Sequence, residues 1–211
     1  FALPEAAFAI AVIRTTGAEG DPSLQTYHDR IRHSVVEHLA PDALCELHRR
    51  LGHALVAANV DDPDALARHH VGAGDAAQGS RYAEIAGDMA LDALAFERAA
   101  AYFQAALDLA PADAGARRVA LGRRLGVALV NAGRGAESPA IFLAAAAQAE
   151  GEDAIDLHVR AGSELLRAGR VEDGVAVLAI PLADAGSALP RSRVRAALGV
   201  LWRRAYARLR G

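Results

Sequence analysis

The 211-residue chain contains no lysine; all 23 of its basic residues are arginine. That absence excludes a Gly-rich phosphate loop closed by Lys-Ser/Thr, the phosphate-pairing lysine of a protein kinase and any Schiff-base chemistry. There is one cysteine, Cys45, so no internal disulfide can form and nothing points to an oxidising compartment. Aromatic residues make up only 5% of the chain, too few for a typical β-sandwich core. Apolar runs are short and interrupted by glycine or charge, and none reads as a membrane span. No basic segment followed by an apolar run opens the chain, so no secretory signal is expected. Gly-x-Ser-x-Gly, a Ser/Lys pair and a Cys/His constellation are all missing from the sequence, which leaves no nucleophilic enzyme to argue for. The net charge of −3 gives no general reason to expect nucleic-acid binding.

What is present is alanine in abundance, within 53% apolar and 23% charged residues. Alanine has the highest helix propensity and lets helices approach closely, so the expected class is all-α. Residues 1–42 differ from the rest. A short helix over Pro4–Ile10, strands over Val12–Thr16 and Leu24–Tyr27 flanking a Gly/Asp/Pro cluster, and a helix through Ile31, Val35, Val36 and Leu39 that Pro41 stops would form the back half of a winged-helix module with a β-hairpin.

From 43 to 211 the pattern is helical and repeats. Leu51-Gly52, Ala86-Gly87, Leu125-Gly126 and Ala161-Gly162 recur with glycines 35, 39 and 36 residues apart, each inside an apolar helical run. A second helix follows each, over Ala65–Gly72, Glu97–Leu109, Pro139–Ala149 and Val171–Ala179, with Pro181 expected to end or kink the last near Ile180. Asn131-Ala132-Gly133-Arg134 and Arg167-Ala168-Gly169-Arg170 are near copies 36 residues apart. The expected architecture is an α-solenoid of antiparallel helix pairs, with units near 45–78, 80–113, 119–152 and 155–188 and an orphan helix at 191–210. A start at Phe1 and an end at Gly211 in mid-pattern suggest a piece of a longer protein.

Gly87, Ala99, Phe103, Ala106 and Pro111 carry the spacing of a tetratricopeptide repeat, and Leu125, Gly126, Gly133, Phe142 and Ala145 match in the next unit. Residues 44–186 thus resemble tetratricopeptide repeats. The phrase Tyr27-His28-Asp29-Arg30-Ile31-Arg32-His33-Ser34-Val35-Val36, together with His69-His70, Ala73-Gly74-Asp75 and Leu94-Ala95-Phe96-Glu97-Arg98-Ala99-Ala100, resembles large bacterial serine/threonine kinases that carry a signalling-type AAA/NTPase module. The resemblance implies a cytoplasmic parent with a kinase domain, an ATPase switch and this helical array. No kinase or ATPase motif lies in these residues, so no catalytic residue carries over. Similar arrays occur in transcription activators of the same ATPase class, which leaves a small-molecule-sensing domain as the alternative function.

In such an array the first helices line the concave face, and the register assigns Arg49, His53, Arg81, Glu84, Asp88, Arg123, Asn131, Asp156, Ser163 and Arg167 to it. These are the candidate binding residues, and a protein or peptide, including other domains of the parent, is the expected partner. Arg49 and His53 depart from the Lys and Asn with which some tetratricopeptide domains clamp a peptide carboxylate. His28-Asp29-Arg30 has the wrong order for a kinase catalytic loop. His33 and His38, like His48 and His53, are five apart, and His69-His70 are adjacent; none of these spacings puts two ligands on one helix face, so no metal or cofactor is expected. Asp61-Asp62 and Glu152-Asp153 read as helix-start charges. The seven arginines between Arg191 and Arg210 read as a solvated face, or as one that pairs with a following repeat, in preference to a site for an acidic partner or phosphate. Neither nucleic-acid binding nor membrane insertion is expected.

Overall fold

The computed structural model describes residues 13–16, 23–26 and 36–184, with single positions at 186 and 202. The helices expected at 4–10 and 191–210, the kinase-like junction at 27–35 and the arginine block lie outside the described residues, apart from Val36 and Trp202. Two short strands, β1 (Ile13–Thr16) and β2 (Ser23–Thr26), pair antiparallel with Ile13 opposite Thr26 and Thr16 opposite Ser23. All other described regular elements are helical. They are α1 (Pro41–Ala57), α2 (Pro63–Gly72), α3 (Ala76–Asp92), α4 (Phe96–Leu109), α5 (Gly115–Asn131), α6 (Ser138–Ala146), α7 (Gly151–Arg167) and α8 (Val171–Asp184).

Local chemistry sets these boundaries. Pro41 and Pro63 occupy the first turns of α1 and α2, where a missing N–H costs nothing. Asp62 caps α2 by accepting from the Ala65 N–H at 3.1 Å, and Asp75 caps α3 by accepting from the Gln78 N–H at 3.1 Å. Asp62 is therefore a helix-start charge, as its sequence context suggests, and Glu152 and Asp153 lie in the first turn of α7. Of the two outcomes expected at Pro181, the helix does not end there: α8 continues through Pro181 to Asp184. A proline there forfeits the single bond to the Val177 carbonyl, and Pro181 is itself buried, so packing outweighs the local defect.

Each helix packs on the next in sequence. The pairs α1/α2, α3/α4, α5/α6 and α7/α8 are held by one recurring device. A Cβ on Gly87 of α3 would stand 2.6 Å from Phe103 Cε1 of α4, and one on Gly162 of α7 would stand 2.6 Å from Leu178 Cγ of α8. Gly126 of α5 receives Phe142 of α6 still more closely, and Gly52 of α1 faces His70 of α2 with 3.2 Å to Nε2. The recurring glycines thus sit where the second helix of each pair presses a large side chain against the first. Phe103 shares a buried cluster with Leu121 and Leu125 of α5, and Phe142 shares one with Leu157 and Ala161 of α7, so each ring also links its pair to the next. Alanine fills much of the remaining core, including Ala83, Ala86, Ala99, Ala106, Ala128 and Ala161.

Seven residues after each packing glycine the first helix ends in a left-handed residue: Asn59, Leu94, Gly133 and Gly169, with φ of 52°, 56°, 79° and 78°. The flanking bonds, such as Ala95 N–H to Ala90 O at 2.8 Å and Leu94 N–H to Leu91 O at 2.9 Å, close a Schellman turn at each. Leucine is the misfit in this set, since its Cβ resists the left-handed conformation and its side chain is 72% exposed.

Two substitutions test these points. Leu94→Gly raises stability by about 1 kcal/mol, read from the urea midpoint, because turn strain is removed and little packing is lost. Gly87→Ala and Gly162→Ala each lower it by about 1–3 kcal/mol despite the gain in helix propensity. Gly52→Ala costs less than either, since it meets its neighbour at 3.2 Å. Equal costs at all three positions would contradict the packing argument.

Candidate binding surface

Several ion pairs connect each helix pair to the next. Glu84 of α3 accepts from Arg117 of α5 at 3.0 Å and from Arg124 of α5 at 2.9 Å. Arg124 also pairs with Asp88 at 3.2 Å, and its Cζ stands 6.0 Å from the Phe103 ring centroid. Burial pushes the Asp88 carboxyl up; Arg124 opposes this and the nearby Glu84 and Asp92 add to it. Arg123 of α5 then reaches α7, pairing with Asp153 and, at 3.3 Å, with Asp156. Asp64 of α2 accepts from Arg98 at 2.7 Å and from the Tyr102 hydroxyl, both on α4. Glu97 of α4 meets Arg134 at 3.2 Å, and Arg134 grips Glu137 with two bonds of 2.7 and 2.8 Å. That double pairing raises the Arg134 guanidinium and lowers the Glu137 carboxyl.

Four of the ten expected face residues come together in one cleft. Asn131 of α5 and Asp156, Ser163 and Arg167 of α7 line a cavity of about 390 Å³ whose other walls include Val127, Val130, Phe142, Val159, Arg160 and Glu164. Its lining is apolar at Val127, Val130, Phe142 and Val159 and charged at Asp156, Arg160, Glu164 and Arg167. Glu164 is only 8% exposed and accepts from Arg167; Asp156 accepts from Arg160 at 2.8 Å.

The remaining expected residues lie elsewhere. Glu84, Asp88 and Arg123 are committed to the bonds between helices described above. Arg49 is exposed on α1 and pairs with Glu46. His53 stands 6.3 Å, ring to ring, from His70, and Arg81 lies 5.8 Å from the Tyr82 ring. The sequence register missed Val127, Val130, Phe142, Val159, Arg160 and Glu164. The signal was available for some of them: Asp156, Val159, Arg160, Ser163 and Arg167 recur at helical spacing along one face of α7. Phe142 and Glu164 carried no such signal, since both belong to positions otherwise reserved for the core.

The histidines group differently. His70 is buried, stacks on Tyr82 with centroids 5.3 Å apart, and bonds through Nδ1 to Asp75 at 3.1 Å. Cys45 lies within α1 and donates its thiol to the Ala73 carbonyl at 3.2 Å. Among the described residues no three His, Cys, Asp or Glu side chains gather as a ligand set, and no helix is long and apolar enough to cross a membrane. No family model matches the chain, and no curated protein matches it either.

The bonds to Asp64 predict a pH effect. The Tyr102 hydroxyl bond, and then Arg98 and Arg68, hold the Asp64 carboxyl below the usual range against a smaller opposing effect of burial. A depressed folded-state value means the contribution is present at neutral pH and is lost as pH falls through the region below about 4. Asp64 is partly exposed, so the effect is small. Comparing urea midpoints at neutral and acidic pH, Tyr102→Phe shows a shallower loss than the parent chain; an unchanged slope would remove Tyr102 from this role.

Proposed function

We propose that this chain is a non-catalytic, tetratricopeptide-like solenoid that binds a protein or peptide segment and regulates a larger signalling protein. The observation that carries the reading is the cleft between α5 and α7, which four residues expected on the binding face line together with apolar side chains. Bonds between residues some thirty to forty positions apart, Arg117 with Glu84, Arg98 with Asp64 and Arg134 with Glu97, support a stack of equivalent helix pairs. The four glycine crossings, each followed seven residues later by a left-handed turn, support it further. The hairpin of β1 and β2 fits a winged-helix remnant ahead of the array. The proposed parent is a bacterial serine/threonine kinase with an AAA-type ATPase module, on the strength of the junction and repeat phrases alone. Partner binding to one arrangement of the array would shift the parent's switch by differential affinity.

The mixed lining of the cleft, with Arg160 and Arg167 beside Asp156 and Glu164, suits a peptide that offers an apolar side chain flanked by polar backbone groups. A small-molecule sensor, the alternative, would need a deeper apolar enclosure than these charged walls supply. Peptides selected from a displayed library against the chain are expected to lose at least about tenfold in affinity to Ser163→Trp, which fills the cleft, while the melting temperature stays nearly constant. Equal binding to the filled variant, or stabilisation by a metabolite with no peptide selected, would sink this reading.

A further inference from the structure

Spacing along a single helix pairs none of the histidines, but the fold pairs two of them across helices. His48 of α1 and His69 of α2 approach with 3.1 Å between their Nδ1 atoms, ring centroids 5.2 Å apart and planes tilted by 46°. Both are partly exposed. Gly72 makes the approach possible, because a Cβ there would stand 2.7 Å from His48 Cγ.

The separation is informative. Imidazole nitrogens bind a divalent zinc ion at about 2.0–2.1 Å, and two of them 3.1 Å apart subtend about 98° at the metal. That lies between the roughly 90° of square or octahedral sites and the roughly 109° of tetrahedral ones. Without a metal the same contact is a hydrogen bond, in which one ring donates its proton to the lone pair of the other. Neutral rings are what a metal requires.

We propose that His48 and His69 form a two-imidazole chelate for a late first-row divalent cation such as zinc, with water completing its coordination. The ion takes the place of the shared proton, which passes through solvent to Nε2 of the donating ring so that both imidazoles stay neutral, and it clips α1 to α2. Cys45, one turn before His48, is engaged with the Ala73 carbonyl and is not a ligand. With two protein ligands the site is selective for ions that favour imidazole, and magnesium does not compete.

Calorimetric titration of the full chain with zinc or nickel chloride near neutral pH tests this. The expected result is one site per chain, a raised melting temperature reversed by EDTA, and no response to magnesium. His48→Gln and His69→Gln each weaken binding by about tenfold or more, while Cys45→Ser leaves it unchanged. Binding retained in His69→Gln, or lost in Cys45→Ser, overturns the assignment. A measurement on the unsubstituted chain guards against misfolded variants: substoichiometric copper(II) should broaden the imidazole proton resonances of His48 and His69 before those of the other six histidines. Earlier broadening at any other histidine likewise overturns it.

Discussion

The structure depends on close helix crossing at glycine. Gly87, Gly126 and Gly162 lie where a Cβ would collide with Phe103, Phe142 and Leu178, so the second helix of each of these pairs rests almost directly on the backbone of the first. That contact fixes the distance within a pair and leaves room for little more than alanine around it, which explains an alanine-rich core with few aromatics. It also fixes the stagger. Once each ring seats on its glycine and extends to the next helix, residues about one repeat apart are brought side by side.

The charged residues follow from that stagger. Glu84 with Arg117 and Arg124, Arg123 with Asp153 and Asp156, Asp64 with Arg98, and Glu97 with Arg134 all join one helix pair to the next. Exposed pairs of this kind contribute little net stability each. Their effect is on register, because a slip of one helix against another would place like charges together: Glu84 and Asp88 already share Arg124, and burial raises the Asp88 carboxyl. The lack of lysine fits this arrangement, since a guanidinium can serve two carboxylates from one planar fork where an ammonium offers a point charge.

Much of this was legible in the chain. The glycine spacing located all four crossings, and the second helices begin within two residues of their expected starts at α2, α4, α6 and α8. The turn glycines Gly133 and Gly169 take the left-handed conformation, and Leu94 takes it at the equivalent turn without being a glycine. Pro181 does not end its helix, and it is buried there. Of the expected face residues, those on α7 and at the end of α5 converge on the cleft, and those on α1 and α3 do not line it. A periodicity can assign a residue to a helix face; it cannot say whether the neighbouring helix stands near enough to make a wall.

The sequence by itself determined the helical class and the spacing of the glycines on which the helices cross, because helix propensity and crossing sterics are properties of short stretches. Only the tertiary structure decided which side chains meet between helices: His48 with His69, Arg123 with Asp156, and Glu164 with Arg167 in the lining of a cleft. The first two contacts depend on the relative rotation and stagger of different helices, quantities set by the packing of whole surfaces and written in no single segment. The third joins neighbours on one helix, but its place in a cleft is set by α5 and α6.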